Sequence, residues 1–461
     1  MKKFFNIFLL LSIPFLSFAK EVKVYGVEPT FAGKQLEMRC FLEQMVSSER
    51  VLATCDVDST GAFSFVFDVT ETMQAFIPSE TSRGFIFLEP GSQYEVKLFP
   101  YRERTLMQKL DPYFAPVDYL MEIVKLKHGD INAQLMEFED AFDFYSVKHM
   151  KYGADVDSLK KSVAEIHEIF PDFASKRFLW DYLDYRCMLI LNMAQNANQA
   201  KIIEELNKKE IDDANPAFWD LFNTLFADFI KQSAYDREQA LTFSRIIEEG
   251  NVKMYFLTIK NRYGITNPLL RELVAIKWLY DLLGSNEYDR TKVYELLRGV
   301  GSVIQCQSNR DLLTVILNSA SSNLPGMDAP DFTATSVDGK THRLSELKGN
   351  YIYLNFGNSF IDQTQKDLNV LMRFHSEYGR DLAIVNVFLY DQMDQVMRLS
   401  LRFGGKMNFW VVKDSDAVKK LFGIKSLPSF FLLDKDGNFL MTRGAEPNDE
   451  LKLLLQRILK K

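Results

Sequence analysis

Cysteine is the residue type in this chain with the clearest capacity for chemistry, because a thiolate can attack disulfides and bind metals. The chain contains four cysteines, Cys40, Cys55, Cys187 and Cys306, and no two of them form a C-x-x-C pair. Redox catalysis would therefore depend on an isolated thiol. Structural disulfides and buried free thiols are the other uses that these residues could have.

Cys40 and Cys55 lie in two runs typical of strands, on either side of the polar segment 46–49. A hairpin centred on Ser47 and Ser48 would place the two cysteines opposite each other, close enough for a disulfide in an antiparallel pair. The alternative is two buried free thiols. Cys187 and Cys306 lie in runs with helical periodicity, where we expect free thiols in a core.

Other kinds of catalysis receive little support from the motifs. The histidines of residues 101–322 are too far apart for a short zinc-binding spacing. The sequence has no G-x-S-x-G elbow, phosphate-binding glycine loop or dinucleotide fingerprint. Its net charge of -7 gives no electrostatic reason to bind nucleic acid. We therefore predict no metal, no cofactor and no nucleic-acid partner.

Residues 1–19 have the features of a signal peptide. Lys2 and Lys3 precede an apolar stretch from Phe4 to Phe15, and small residues lead to a cleavage site expected after Ala19. A permanent transmembrane helix needs about 20 apolar residues, so this stretch is short for one. An uncleaved anchor is the alternative. We expect export to the periplasm or cell envelope, with no transmembrane segment beyond the signal peptide.

The rest of the chain predicts a multidomain α+β protein. Residues 20–100 contain short alternating runs, such as Phe63, Phe65 and Phe67, and predict a small antiparallel β-sandwich. Residues 101–322 have helical periodicity and predict an all-α domain, with breaks between helices at Pro171, Pro216, Gly264 and Pro268. A stretch typical of a linker, at 318–326, separates these helices from a last domain, residues 323–461.

Ordered motifs in the last domain carry a family resemblance. The letters A-P-D-F stand at 329–332, D-G-K at 338–340 and L-K-G at 347–349, followed by an apolar strand at 351–356 and a proline directly before another strand at 428. Here the sequence resembles the thioredoxin-like family of TlpA-like and ResA-like periplasmic disulfide reductases and peroxiredoxins. The resemblance implies a C-terminal α/β thioredoxin-like fold, with Pro428 as the family's cis-proline.

The resemblance also identifies where this chain departs from the family. Family members place W-C-x-x-C after the strand that ends at Phe356, with the first cysteine at a helix N-terminus that lowers its pKa. Aligned on Phe356, Ile361 stands at the position of the nucleophilic cysteine and Thr364 at that of the second cysteine. Ile361 cannot ionise, so these positions are degenerate, and no residue of 327–461 is a cysteine. We predict no catalytic residue here.

A domain of this kind can keep the family's peptide-binding groove without its chemistry. Phe360, Asp362, Leu427 and Pro428 are its candidate residues, in a groove lined by Leu427, Pro428 and the loop from Asn358 to Asp362. Asp362 is also expected to be the N-cap or an early acidic residue of a helix. We therefore expect a non-catalytic binding or scaffold protein, with an extended peptide or envelope protein as partner. Two alternatives stay open: an oxidoreductase that uses a cysteine from another domain, and a ligand or enzymatic site among the helices.

Overall fold

The structure is a computed structural model that describes residues 19–148, 155–193, 199–227, 237–285, 287–321, 324–441 and 445–459. The predicted signal peptide, apart from Ala19, lies outside the described residues, as does the predicted domain boundary at 322–323. No helix in the described ranges is long and apolar enough to cross a membrane.

The chain forms two compact units. One contains the chain up to Arg102 together with Pro116–Gln199 and Asp212–Leu225, and the other contains Glu103–Ala115, Ala200–Ile211 and the chain from Phe226 onward. The helices between residues 101 and 322 are thus shared between the units. The division into β-sandwich, helical and thioredoxin-like domains at 100 and 322 stays a prediction.

Two sheets dominate the first unit. Their strands are β1 Lys20–Val27, β2 Gln35–Glu43, β3 Ser48–Asp56, β4 Ala62–Val69, β5 Met73–Pro78, β6 Ser82–Leu88, β7 Gln93–Lys97, β8 Val117–Leu120 and β9 Glu122–Ile123. The strand orders are β4-β1-β7-β9 and β3-β2-β5-β6-β8. Buried residues from both sheets, among them Val22, Met38, Phe65 and Ile86, form one hydrophobic cluster.

The sheets differ from the prediction in strand direction. Strand β1 pairs with β7, and β6 with β8, in parallel, so the sheets are mixed and the purely antiparallel prediction was wrong. The alternation of Phe63 and Phe65 does mark a buried face, since both side chains lie in the cluster.

The predicted pairing of Cys40 with Cys55 was also wrong. In the β2–β3 hairpin Cys40 lies opposite Arg50, and Cys55 lies opposite Leu36. Neither cysteine forms a disulfide. The turn occupies residues 44–47, which is closer to the N-terminus than the predicted turn at Ser47 and Ser48. The buried carboxylate of Glu43 stabilises this turn, because it accepts hydrogen bonds from the backbone amides of Met45, Val46 and Ser48.

Helices fill the middle of the chain and cover the last sheet. They are α1 Leu106–Leu110, α2 Ile131–Lys148, α3 Val156–Ile169, α4 Arg177–Asn192, α5 Gln199–Lys208, α6 Pro216–Leu225, α7 Arg237–Glu249, α8 Val252–Tyr263, α9 Pro268–Leu283, α10 Arg290–Val300, α11 Gln307–Ser321, α12 Asp362–Tyr378, α13 Met393–Arg402, α14 Ser415–Leu421 and α15 Asp449–Leu459. Short 3-10 turns occupy Pro29–Phe31, Pro171–Ser175 and Leu344–Leu347.

Local sequence explains where several of these helices begin and end. Asn267 caps α9 by accepting a hydrogen bond from the backbone amide of Leu270, and Pro268 occupies the first helical position, where no amide donor is needed. Gly264 ends α8 in the left-handed conformation, with φ of 66°. The predicted breaks at Gly264 and Pro268 therefore lie at real helix boundaries.

The second unit contains a larger sheet. Its strands are β10 Thr333–Ser336, β11 Thr341–Arg343, β12 Tyr351–Gly357, β13 Leu382–Phe388, β14 Asn408–Val411, β15 Ser429–Leu433 and β16 Phe439–Met441, in the order β11-β10-β14-β13-β12-β15-β16. Strands β12, β13 and β14 run parallel, and β15 runs antiparallel to β12. Two separate hydrophobic clusters include side chains of β12 and β13, as expected for a sheet with both faces covered.

Candidate functional site

The degenerate motif lies at one edge of the C-terminal sheet. The parallel strands β12 and β13 end together there, and the segments that follow them are 358–361 and 389–392. Ligands of open α/β sheets bind at this edge of the strands. The peptide bond between Leu427 and Pro428 is cis, as the resemblance implied. Because Phe356 pairs with Ser429, the register brings Pro428 beside the end of β12.

A buried carboxylate holds the loop that replaces the catalytic motif. The backbone amide of Ser359 donates to Oδ2 of Asp391 at 2.9 Å, and the Ser359 hydroxyl donates to Oδ1. Asp391 is only 7% exposed. Burial raises the pKa of its carboxyl above the ordinary value, although the hydrogen bonds from Ser359 oppose that shift. The loop is thereby tied to the end of the neighbouring strand.

Asn358 adds a second tie between the same segments. Its side-chain amide is buried, donates to the carbonyl of Leu389 at 2.7 Å and accepts from the backbone amide of Phe360 at 3.0 Å. Gln365 extends the network, since its Nε2 donates to the carbonyl of Ser359 and its Oε1 accepts from Arg402. The loop is therefore held by hydrogen bonds within itself and by hydrogen bonds to the segment after β13 and to α12.

The two degenerate positions are occupied by side chains that cannot perform thiol chemistry. Ile361 is the N-cap of α12 and provides no side-chain hydrogen bond to it. Thr364 is fully buried, and its hydroxyl has no hydrogen-bond partner among the described residues. Its side chain packs against Gly357, where an added Cβ would lie only 2.6 Å from Cγ2 of Thr364. Thr364 is thus a packing residue of the first helical turn.

The candidate groove residues are more accessible. Phe360 is 59% exposed, and Asp362 is an exposed acidic residue of the first turn of α12, where the helix dipole favours negative charge. Leu427 is partly buried against the core of the sheet. Among the described residues, no hydrogen bond uses the backbone amide or carbonyl of Leu427. An extended peptide that is added as a strand would need such a backbone donor and acceptor for its main-chain hydrogen bonds.

Three of the four thiols, those of Cys40, Cys55 and Cys187, are poor candidates for a substitute nucleophile. Cys187 is 2% exposed, and burial, with a smaller effect of Asp184, raises its pKa to about 12. Burial also raises the pKa of the Cys40 and Cys55 thiols. The backbone amide of Cys306 donates to the buried carboxylate of Glu272. In the described ranges, no group of three or more histidine, cysteine or acidic residues could hold a metal ion.

Asp391 is the site residue that sequence reasoning missed, and for Asn358 it missed the bond to Leu389. Asn358 stands in the loop that replaces the motif, but nothing in its type indicated a bond to Leu389. Asp391 lies 32 positions after its partner Ser359. It lies three residues after the end of the apolar strand β13, and a carboxylate near the end of a parallel strand is the signal that could have indicated it.

Comparisons with known proteins agree on the C-terminal region. The model of the AhpC/TSA family matches residues 325–439. The thiol-disulfide oxidoreductase ResA of Geobacillus thermodenitrificans is 29% identical over 138 residues, which cover 29% of this chain and 77% of the relative. ResA of Bacillus subtilis is 26% identical over 141 residues, covering 30% of this chain and 78% of the relative.

Solved structures with detectable similarity include two from Bacteroides. A thioredoxin-like protein from Bacteroides caccae is 19% identical, covers 56% of this chain and 94% of its own, and has a TM-score of 0.36. A thiol:disulfide interchange protein from a Bacteroides species is 17% identical, covers 30% of this chain and 93% of its own, and has a TM-score of 0.28.

Proposed function

Since the C-terminal third of this chain is a thioredoxin-like domain, we propose that it uses the fold to bind an extended peptide without catalysing thiol–disulfide exchange. The observation that carries the proposal is the side chain of Ile361 at the N-cap of α12. A thiolate is the nucleophile of this chemistry, and a hydrocarbon side chain cannot replace it.

Peptide binding is supported by what remains beside the lost motif. Phe360 offers an exposed aromatic ring, and Leu427 offers a backbone amide and carbonyl that take part in no hydrogen bond with a described residue. A peptide that adds to an exposed edge gains affinity from main-chain hydrogen bonds and specificity from side-chain contacts. The network around Asp391 and Asn358 keeps the loop in one conformation, which lowers the entropic cost of binding.

Peptide-array binding tests this proposal. The full chain is applied to an array of extended peptides, and binders are then compared with copies N-methylated at alternate residues. We expect methylation to abolish binding, because it removes the main-chain donors. Phe360→Ser should weaken binding at least about tenfold, whereas Tyr113→Ser, at another exposed aromatic residue of the same unit, should not. Equal effects of the two substitutions would refute the proposed site.

A redox enzyme is the second candidate, because the relatives matched by residues of the C-terminal third are named thiol-disulfide oxidoreductases. Such an enzyme would need a cysteine from outside residues 327–461. Insulin reduction with dithiothreitol distinguishes the two candidates. No acceleration by the full chain supports binding alone. Acceleration that disappears in a Cys187→Ser, Cys306→Ser variant would establish the enzyme.

We also propose that the mature chain acts in the periplasm or cell envelope after cleavage following Ala19. The basic start, the short apolar stretch and the small residues of the first 19 positions support this. We interpret the two sheets of the first unit as a small sandwich and the central helices as a separate helical domain. N-terminal sequencing of the protein from a cell-envelope fraction tests the cleavage site.

A further inference from the structure

The outward face of one N-terminal sheet is unusually aromatic. Phe41 of β2, Phe76 of β5 and Phe85 of β6 stand side by side, with ring centroids 4.8 Å apart for the first pair and 5.2 Å for the second. None of the three belongs to the hydrophobic cluster shared by the two sheets. Phe76 is fully buried and Phe85 is only 9% exposed, so this face differs from the polar, solvated outer face that is usual for such a sheet.

Helices cover only part of this face. Phe87, two residues beyond Phe85 on the same strand, contacts the rings of Phe178 and Tyr182 on α4. Beyond Tyr182 the face lines an open cavity of about 420 Å³. That volume lies in the range of small-molecule binding sites. The cavity belongs entirely to the first unit.

An arginine is fixed over the aromatic rings. The guanidinium of Arg83 lies 5.7 Å from the ring centroid of Phe41 and 5.7 Å from that of Phe85. Its Nε and Nη2 donate to the two carboxylate oxygens of Asp118, at 2.7 and 2.8 Å. Among the described residues, Nη1 of Arg83 has no acceptor. The cavity therefore has a flat, pre-positioned donor whose positive charge is already balanced.

The rim of the cavity is held in place as well. The β2–β3 turn provides Gln44 and Ser47 to the lining. Three backbone amides of that turn and the strand after it donate to the buried carboxylate of Glu43, which fixes the turn. Ser47 has a φ of 53°, in the left-handed region that residues other than glycine rarely adopt. Strained residues of this kind cluster at binding sites.

The charges and side-chain types together select the class of ligand. Arg83 is paired with Asp118, and the carboxylate of Asp220 on the opposite wall lies 3.5 Å from Nη1 of Arg186. Arg186 also pairs with Glu139, so both arginines have carboxylate partners and neither is free to recognise an anionic group. Gln44 and Gln74 instead provide amides that donate and accept at once. We propose that this cavity binds a neutral oligosaccharide, whose hydroxyl groups also donate and accept and whose C–H groups pack against the half-buried aromatic side chains of the lining, Phe41 and Tyr119.

Isothermal titration calorimetry of the full chain tests the proposal. The probes are neutral cello-, malto- and manno-oligosaccharides, with an oligogalacturonate and an uncharged peptide for comparison. We expect at least one neutral oligosaccharide to bind, and Gln74→Ala to weaken it at least about tenfold. Gln93→Ala, an exposed glutamine of β7 in the other sheet, is the matched control and should bind like the unaltered chain.

Three results would overturn the proposal: no neutral oligosaccharide binds at millimolar concentration, binding is equal in Gln74→Ala and Gln93→Ala, or only the charged or peptide probe binds. Arg83→Lys gives an independent check, because lysine keeps the charge but cannot form the two-point contact with Asp118. It should also weaken binding. All of these residues belong to the first unit, whereas Leu427 belongs to the second. A negative result here would therefore not count against the proposed peptide site at Leu427.

Discussion

The carboxylate of Asp391 binds both the backbone amide and the hydroxyl of Ser359, a residue 32 positions earlier in the chain. This pair ties the loop that lacks cysteines to the end of the neighbouring parallel strand. Polar contacts with residues outside the loop therefore maintain its conformation. The side chains of Ile361 and Thr364 contribute no hydrogen bond among the described residues.

Removing the carboxylate should loosen the loop. Asp391→Ala leaves the half-buried amide of Ser359 without its acceptor, and the loss of such a hydrogen bond costs about 1 kcal/mol. We expect faster hydrogen–deuterium exchange at residues 359–365 and a lower calorimetric unfolding temperature. Asp436→Ala, in an exposed turn, should change stability by no more than about 0.5 kcal/mol. Unchanged exchange in Asp391→Ala would show that the pair does not hold the loop.

The same carboxyl should affect the pH dependence of stability. Burial raises its pKa in the folded chain above the ordinary value of 3.8, so the fold binds this proton more tightly than the unfolded chain does. The stabilisation is fully present below pH 3.8 and is lost as pH rises through the raised pKa. The unaltered chain should therefore gain stability relative to Asp391→Asn as pH falls through that window. A constant difference in unfolding temperature across the window would contradict this.

Cys187 should be inert in the folded protein. Its pKa of about 12 leaves almost no thiolate near neutral pH, and its side chain is buried. We expect iodoacetamide at pH 8 to modify Cys187 at least about 100-fold more slowly in the folded chain than in urea. Mass spectrometry of the alkylated peptides measures both rates. Rapid labelling of Cys187 in the folded chain would contradict this prediction and support the oxidoreductase alternative.

Restoring both cysteines should create redox activity. In an Ile361→Cys, Thr364→Cys variant the first thiol occupies the N-cap of α12, where unpaired amides and the helix dipole lower its pKa. We expect insulin reduction at least about tenfold above the unaltered chain. The matched control is Ile361→Ser, Thr364→Ser. An inactive double-cysteine variant would mean that the loop held by Asp391 does not suit the chemistry.

The register of the β2–β3 hairpin can be tested by oxidation. Because Cys40 lies opposite Arg50, Arg50→Cys should form a disulfide with Cys40 under mild oxidation. The unaltered chain should form none between Cys40 and Cys55. Peptide mapping without reduction identifies the bonds. A bond between residues 40 and 55 in the unaltered chain would restore the register predicted from the sequence.

Much of the secondary structure follows from local patterns. Alternation located strands such as β4, and proline and glycine located helix boundaries such as those at Pro268 and Gly264. The elements that were not predicted include strands β5, β8 and β9 and helices α1, α5, α8 and α11. Strands β8 and β9 lie within 101–322, the range that was predicted to be all-α. The loop without cysteines and the cis-proline could be located from the sequence, because the motifs around them depend on short stretches of chain.

Pairing and burial were decided by tertiary structure. The hairpin register depends on the contacts of Glu43 with its turn, and the parallel pairs β1–β7 and β6–β8 join strands distant in sequence. The bond between Asp391 and Ser359 and the aromatic face around Phe41 arise in the same way. The amino-acid sequence alone identifies residues that cannot act as nucleophiles, since Ile361 has no ionisable atom in any conformation. Which residues meet was decided only by folding, because contacts between distant segments depend on the packing of the whole unit and leave no local pattern.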